Sequence, residues 1–262
     1  MPMDRRKFVT LAAGSIATSS LIRVPSALAA VPKPLPAIKF IAFDAFPIFN
    51  PGPVFALADG MFPGVGLSNQ WRTRQFEYTW LRVAAQRYAD FWQVTDDALT
   101  FTANELKLTI LPAQHAELMD AYLKLQAWPD VLPALAALKK SGLRFSFLSN
   151  MTSRMLQANI QHAGLDGFFE QVLSTDQVKT YKPTPQAYQL GMDILKAKRE
   201  EILFVASAGW DAAGAKLFGY PTYWVNRQKL PMEELGVQPD GTGNTLSDLV
   251  QFLNEDQPLT SK

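Results

Sequence analysis

The stretch "IKFIAFDAFPIFN", residues 38–50, decides the fold. Ile38 to Phe43 is an apolar run broken only by Lys39, of the length and composition of a strand buried on both faces. A carboxylate, Asp44, stands directly after it. An aspartate at the carboxyl end of a buried strand costs solvation free energy unless something answers its charge, so it marks a candidate nucleophile. The next residues, Phe46-Pro47-Ile48, offer it no polar side chain.

The remaining chain supplies a partner and a scaffold. From residue 130 onward helical and strand-like segments alternate. A helix over 130–140 stops at Gly142, and a strand over Leu143–Leu148 runs into Ser149-Asn150. A helix over 152–163 stops at Gly164. The strand Gln171–Ser174 leads to a loop carrying Lys182-Pro183, and a helix over 185–195 precedes the strand Ile202–Ala206. Asp211 opens a helix ending at Gly219, and Thr222–Asn226 is read as the last strand. Such alternation predicts an α/β fold, a doubly wound parallel sheet with a Rossmann-like core. Ligands of these sheets bind beyond the strands' carboxyl ends. Asp44, Ser149, Asn150, Lys182 and Asp211 all fall at that edge.

Between the first strand and residue 130 the period changes. Phe76, Trp80, Val83, Ala84, Tyr88 and Phe91 form one helical stripe after a candidate cap at Ser68, followed by helices over 96–106 and 113–125. Residues 53–128 therefore read as a helical cap subdomain inserted into a core of residues 30–52 and 129–262. The helical period sets in after a Pro/Gly stretch, Pro51-Gly52-Pro53 and Phe62-Pro63-Gly64.

Composition excludes several classes. The chain has 262 residues, 48% of them hydrophobic, enough for one core and a smaller subdomain. It has no cysteine, which removes disulfides and thiolate chemistry, and its two histidines, His115 and His162, lack metal-ligand neighbours at helical spacing. A formal charge of +1 gives no reason to expect nucleic acid. Residues 1–29 read as an export signal. Arg5-Arg6 precede Phe8 and a mildly apolar run to Ile22, and Ala27-Leu28-Ala29 matches a cleavage site, the pattern of a twin-arginine signal peptide. That run is too short and too polar for a spanning helix, so no stable membrane anchoring is expected after cleavage. Cleavage takes four basic groups and one acid from 25 and 24, leaving a periplasmic chain of net charge −2.

Four stretches carry a resemblance: "FPGVGLSNQWRTRQFEYTWLRVAAQRYADFWQVTDDAL" (62–99), "LSNMT" (148–152), "YKPTPQAY" (181–188) and "WDAAGAKLFGYPTYWVNR" (210–227). Over about residues 38–255 the chain resembles the haloacid dehalogenase (HAD) superfamily, and within it the type II, L-2-haloacid dehalogenase branch. The resemblance implies a HAD-like core with a helical cap, hydrolysis of carbon–halide bonds in small 2-haloalkanoic acids, no metal or cofactor, and a homodimer. It implies that Asp44 is the nucleophile, forming an aspartyl ester, and that Lys182 keeps it ionised. Arg72 would hold the halide or the substrate carboxylate, and Asp211 would fix Lys182 or the attacking water. Ser149 and Asn150 would bind the substrate carboxylate. Phe46, Phe76, Phe91 and Trp210 would wall the substrate, with the Tyr188 hydroxyl at the edge. Ser149-Asn150 and Asp211 also read as helix caps, a role compatible with these.

The chain lacks four polar groups of that family's pattern. The family reads Asp-x-Tyr-Gly-Thr where this chain has Asp44-Ala45-Phe46-Pro47-Ile48, and it has serine and asparagine where Ala206 and Ala208 stand. The alternative to a dehalogenase is therefore an impaired or inactive homologue that binds a small carboxylic acid. A magnesium-dependent phosphatase is disfavoured. It needs a second carboxylate at position 46 and further oxygen ligands before Asp211.

Overall fold

A computed structural model describes residues 38–256, so the expected signal segment lies outside the described residues. The chain opens with β1 (Phe40–Phe43), a single turn α1 (Ala45–Ile48) and the two-residue strand β2 (Phe49–Asn50). Four helices follow: α2 (Gly52–Met61), α3 (Leu67–Ala84), α4 (Phe91–Glu105) and α5 (Pro112–Ala121). The strand β3 (Gln126–Ala127) then pairs antiparallel with β2, making a neck through which the helical block leaves and rejoins the core. Next come α6 (Val131–Lys140), β4 (Arg144–Ser149), α7 (Ser153–His162), β5 (Phe169–Ser174) and α8 (Pro185–Leu195). The chain continues with β6 (Ile202–Ala206), α9 (Gly209–Phe218), β7 (Thr222–Val225), β8 (Gly241–Gly243) and α10 (Leu246–Asp256).

The main sheet has the order β5-β4-β1-β6-β7-β8, and every pairing in it is parallel. Side chains alternate between its faces, as the two-residue period of a strand requires. In β1 and β6, Ile41, Phe43, Leu203 and Val205 join the core cluster that also holds residues of α6, α7 and α10. Phe40, Ala42, Phe204 and Ala206 join the opposite cluster with residues of α8 and α9. Aromatic packing fills the first face: Phe147 lies 4.1 Å from Phe169 and 5.5 Å from Phe49, ring centre to ring centre. The central strands β4, β1 and β6 run side by side with Phe43 opposite Phe147 and Val205, and their ends bring three loops to one edge.

The cap differs from its sequence reading in three ways. Pro51-Gly52-Pro53, read as a Pro/Gly stretch ahead of the helical period, already begins α2, because proline in a helix's first turn loses no hydrogen bond there. The stripe read through to Phe91 breaks after Ala84, and Tyr88 lies in the turn before Phe91 opens α4 under an Asp90 cap. Ser68 lies inside α3, bonding Asp59 with Oγ, and the cap position is Gly66 at φ 69°. That left-handed backbone favours glycine. At the far end Thr222–Val225 is not the last strand, since β8 and α10 follow.

Replacing Phe147 with alanine would leave a cavity among Phe49, Phe169 and the sheet. The expected loss is about 3–5 kcal/mol, read as a lower urea midpoint at unchanged slope.

Candidate active site

Asp44 leaves β1 and caps α1, its Oδ2 accepting the Phe46 N–H at 3.3 Å. Its Oδ1 takes two donors, Lys182 Nζ at 2.9 Å and Ser149 Oγ at 3.1 Å. One carboxylate oxygen is thus fixed by a cation and a hydroxyl. Among the described residues, the other carries one long backbone contact. Lys182, 1% exposed, reaches the other way to Asp211 Oδ2 at 2.6 Å. Tyr188 closes the chain, donating to Asp211 Oδ1 at 2.7 Å. The close packing of α9 on this chain rests on Gly214, where a Cβ would stand 2.6 Å from the Tyr188 hydroxyl.

Burial pushes both carboxyls up, and Lys182 opposes it. At Asp44 the ammonium and the backbone donors win, holding the acid below its ordinary range. At Asp211 burial wins, with the neighbouring Asp44 charge adding to it, and the carboxyl is pushed up to about 6. Burial favours the neutral amine at Lys182, but Asp211 and Asp44 together hold its pKa above the ordinary value. Asp44 is ionised at neutral pH, and Lys182 stays charged.

The cap roofs this site with one face of α3. Arg72, Phe76 and Trp80 follow at four-residue spacing, and Phe76 and Trp80 each pack 5.6 Å from Trp210 of α9. The Arg72 guanidinium lies among three rings, 5.1 Å from Phe46, 5.2 Å from Phe76 and 5.3 Å from Phe55. It has no carboxylate partner among the described residues, and its Nη1 is buried without an acceptor there. Burial lowers its pKa, opposed by Asp44, yet an arginine stays protonated. Asp44, Arg72, Phe46, Phe76, Phe91, Ser149, Asn150 and Trp210 line one pocket, joined by Met151, Ser207 and Ala208. Its free space is about 10 Å³, room for roughly one water.

Some sequence expectations need correction. Tyr188 is not at the pocket's edge: it is buried behind Asp211 and acts through it. Asp211 lies within the first turn of α9 and not at its cap, which is Ala208; it holds Lys182 from behind and does not line the pocket. Thr152, rather than Ser149-Asn150, caps α7. Ser149 donates to Asp44, while Asn150 spends its carbonyl oxygen on Thr175 Oγ1 at 3.2 Å and Lys182 N at 2.9 Å. The Asn150 Nδ2 remains buried without a partner among the described residues, a donor suited to an incoming carboxylate. Of the four departures, only Phe46 and Ala208 line the pocket; Ile48 and Ala206 belong to the two core clusters. Sequence reasoning missed Ser207, Met151 and Phe55. Ser207 follows β6 directly, and the strand-end rule applied to Asp44 would have found it.

A parallel sheet, a strand-end carboxylate answered by a lysine, and a helical roof define a hydrolase of the haloacid dehalogenase-like type. The haloacid dehalogenase-like hydrolase profile matches residues 61–219, and the chain belongs to that family. It is 42% identical over 218 residues to an (S)-2-haloacid dehalogenase of Pseudomonas sp. (strain YL), covering 82% of this chain and 94% of that one. The crystal structure of the L-2-haloacid dehalogenase RSc1362 superposes with a TM-score of 0.82 at 40% identity, covering 84% of this chain and all of that one. The Xanthobacter autotrophicus L-2-haloacid dehalogenase with chloropropionic acid covalently bound gives a TM-score of 0.76 at 33% identity, covering 83% and 98% of the two chains.

Tyr188→Phe removes a hydrogen bond to ionised Asp211, so the Asp211 carboxyl should titrate above its value of about 6. Carbon-13 NMR of labelled aspartate reads the shift directly. The linkage has a definite sign. An acid raised from 3.8 to about 6 on folding binds its proton more tightly in the native state, so its contribution to stability falls as pH rises through that window. Tyr188→Phe should extend that fall to higher pH, and an unmoved midpoint would show that the hydroxyl does not tune Asp211.

Proposed function

We propose that the chain hydrolyses small (S)-2-haloalkanoic acids through an ester on Asp44. The observation that carries this is the asymmetry of the Asp44 carboxylate. Oδ1 is tied to Lys182 and Ser149, while Oδ2, with one 3.3 Å backbone contact, has lone-pair density to give. Oδ2 attacks C2 of the acid. The new C–O bond forms as the carbon–halogen bond breaks, and the halide leaves with the bonding pair. A single displacement at carbon inverts C2. Arg72, a cation without a carboxylate partner among the described residues, is the group on which a halide or the substrate carboxylate rests. The free Asn150 amide supplies a further donor. Water then adds to the ester carbonyl and breaks the acyl–oxygen bond, giving back Asp44 and releasing the 2-hydroxy acid and a proton.

The second half-reaction is the weaker one. Apart from Asp44, no carboxylate or histidine among the described residues lines the pocket. Phe46 and Ala208 stand where the resembling pattern has a phenol and an amide. Each missing donor costs about 10²–10³ in rate. This favours a slow dehalogenase that accumulates its ester, and the second reading, an acid binder with no turnover, rests on the same two residues.

We further propose that residues 1–29 export the chain to the periplasm, where it works as a homodimer. An N-terminus beginning at Ala30 in a periplasmic fraction, together with a dimer mass, would support both.

Incubation with L-2-chloropropionate should release chloride and add the propionate ester mass to Asp44, and Asp44→Ala should do neither. An unmodified Asp44 with no chloride would rule out catalysis. Ala208→Asn should raise turnover at least about tenfold by restoring a pocket donor. Ile48→Thr and Ala206→Ser, in the core, should not raise it and should cost stability.

A further inference from the structure

We infer that Trp128 and Arg227 are positioning residues for Asp44, a clamp that holds the turn behind the carboxylate against the neck of the cap. The inference rests on the proposed attack by Oδ2, and its test separates the two. α1 has four residues, too few to hold themselves, since the first turn of a helix fixes several dihedrals for one hydrogen bond. Its N–H end is tied to Asp44, whose Oδ2 accepts from Phe46. Its buried carbonyls have no following turn to bond to, so other elements must answer them.

All four are answered, three of them by two residues. The Ala45 carbonyl accepts from Phe49 N. The Phe46 carbonyl accepts from Trp128 Nε1 at 3.1 Å, the Ile48 carbonyl from Trp128 N at 3.0 Å, and the Pro47 carbonyl from Arg227 Nη2 at 3.0 Å. Arg227 is itself held. Its Nη1 and Nη2 each donate at 3.0 Å to Asp130, and its guanidinium lies 4.6 Å from the Trp128 ring. Asp130, at the start of α6, also accepts the N–H of Leu246, where α10 begins. The clamp thus ties α1 to two helices of the core. Trp128 directly follows β3, and β2, the partner of β3, directly follows α1. Motion of the neck therefore reaches α1 through Trp128, and Arg227 resists it from the core side. Neither residue lines the pocket at Asp44, so each acts through α1 and the Phe46 N–H. A turn free to shift withdraws that donor and lets the carboxylate rotate, and a misplacement of about 1 Å can cost about 10²-fold in rate.

Two conservative variants test the clamp. Trp128→Phe deletes the bond to the Phe46 carbonyl and keeps a ring beneath Arg227 and the backbone bond to Ile48. Arg227→Lys keeps a cation beside Asp130 but loses the planar fork that serves both Asp130 oxygens and Pro47. In each, hydrogen exchange at the Phe46 amide should quicken about tenfold, the scale of one lost hydrogen bond. Carbon-13 NMR should find Asp44 titrating at higher pH, because its anion loses a donor. The single-turnover rate of ester formation from L-2-chloropropionate should fall about 10–10²-fold, with the half-saturating concentration unchanged. Leu165→Ala is the control: Leu165 is buried ahead of β5, away from α1, and its loss should lower stability and move none of these readouts. Phe46 exchange and Asp44 titration left as in the unaltered chain would overturn the inference. So would Leu165→Ala quickening Phe46 exchange as much as the clamp variants, or a loosened turn that leaves the ester rate untouched. A chain that forms no ester at all removes the proposed function; exchange and titration need no turnover and still decide the clamp.

Discussion

Lys182 sits almost fully buried between two carboxylates, and the rest of the site is arranged around its ammonium. Burying three charges is expensive unless their geometry and remaining hydrogen bonds are complete. Here Ser149 and the Phe46 N–H serve Asp44, Tyr188 serves Asp211, and the Phe204 ring lies 4.8 Å from the ammonium itself. Two acids sharing one cation cannot both keep their charge equally well. The deeper one, Asp211, gives way first, near pH 6, and the pocket-facing one stays ionised. Asp211 therefore anchors the ammonium from behind. The charge on Asp44 is a property of the triad and not of Asp44 alone.

That arrangement follows from the sheet. β4, β1 and β6 are adjacent and in register, so Ser149, Asp44 and Ser207 emerge side by side with no chain needing to cross. Lys182 and Asp211 arrive from the next loop and helix on the α8–α9 side. The cap is clamped at the opposite end from its neck: Tyr181 donates to the Ala89 carbonyl at 2.6 Å and Tyr88 to Asp176 at 2.9 Å. With the neck strands on one side and these bonds on the other, α3 lowers Arg72 and Phe76 onto Asp44, and the enclosed space shrinks to about one water. Entry of an acid requires that roof to give.

The core was legible because buried parallel strands and glycine-stopped helices leave strong local signals. The strand 202–206 and the helix 185–195 were read at their observed limits. What failed was what depends on neighbours. Gly241-Thr242-Gly243 has little strand propensity and pairs only because β7 presents an open edge. The aromatic stripe through Phe91 had helical spacing, but a turn at 85–90 redirected it. The family resemblance puts Tyr188 at a substrate's edge. Its helix instead turns the ring inward, where only the fold reveals Asp211 as its partner.

The substitutions around the nucleophile separate once the faces of the strands are known. Ala206 points to the α8–α9 side and Ile48 to the other core, so a hydroxyl at either would need a buried partner that the packing does not provide. Phe46 is different. Its ring lies under the Arg72 guanidinium and lines the pocket beside Asp44, so an apolar group here lowers the donor count at Asp44. A phenol at 46 would present a hydroxyl to Asp44 or to water; a phenyl presents only its face to a cation. Compared with the resembling pattern, the chain lacks a hydroxyl beside Asp44 and seats the Arg72 guanidinium on a phenyl ring. On the mechanism proposed above, the ester should form more readily than it is hydrolysed.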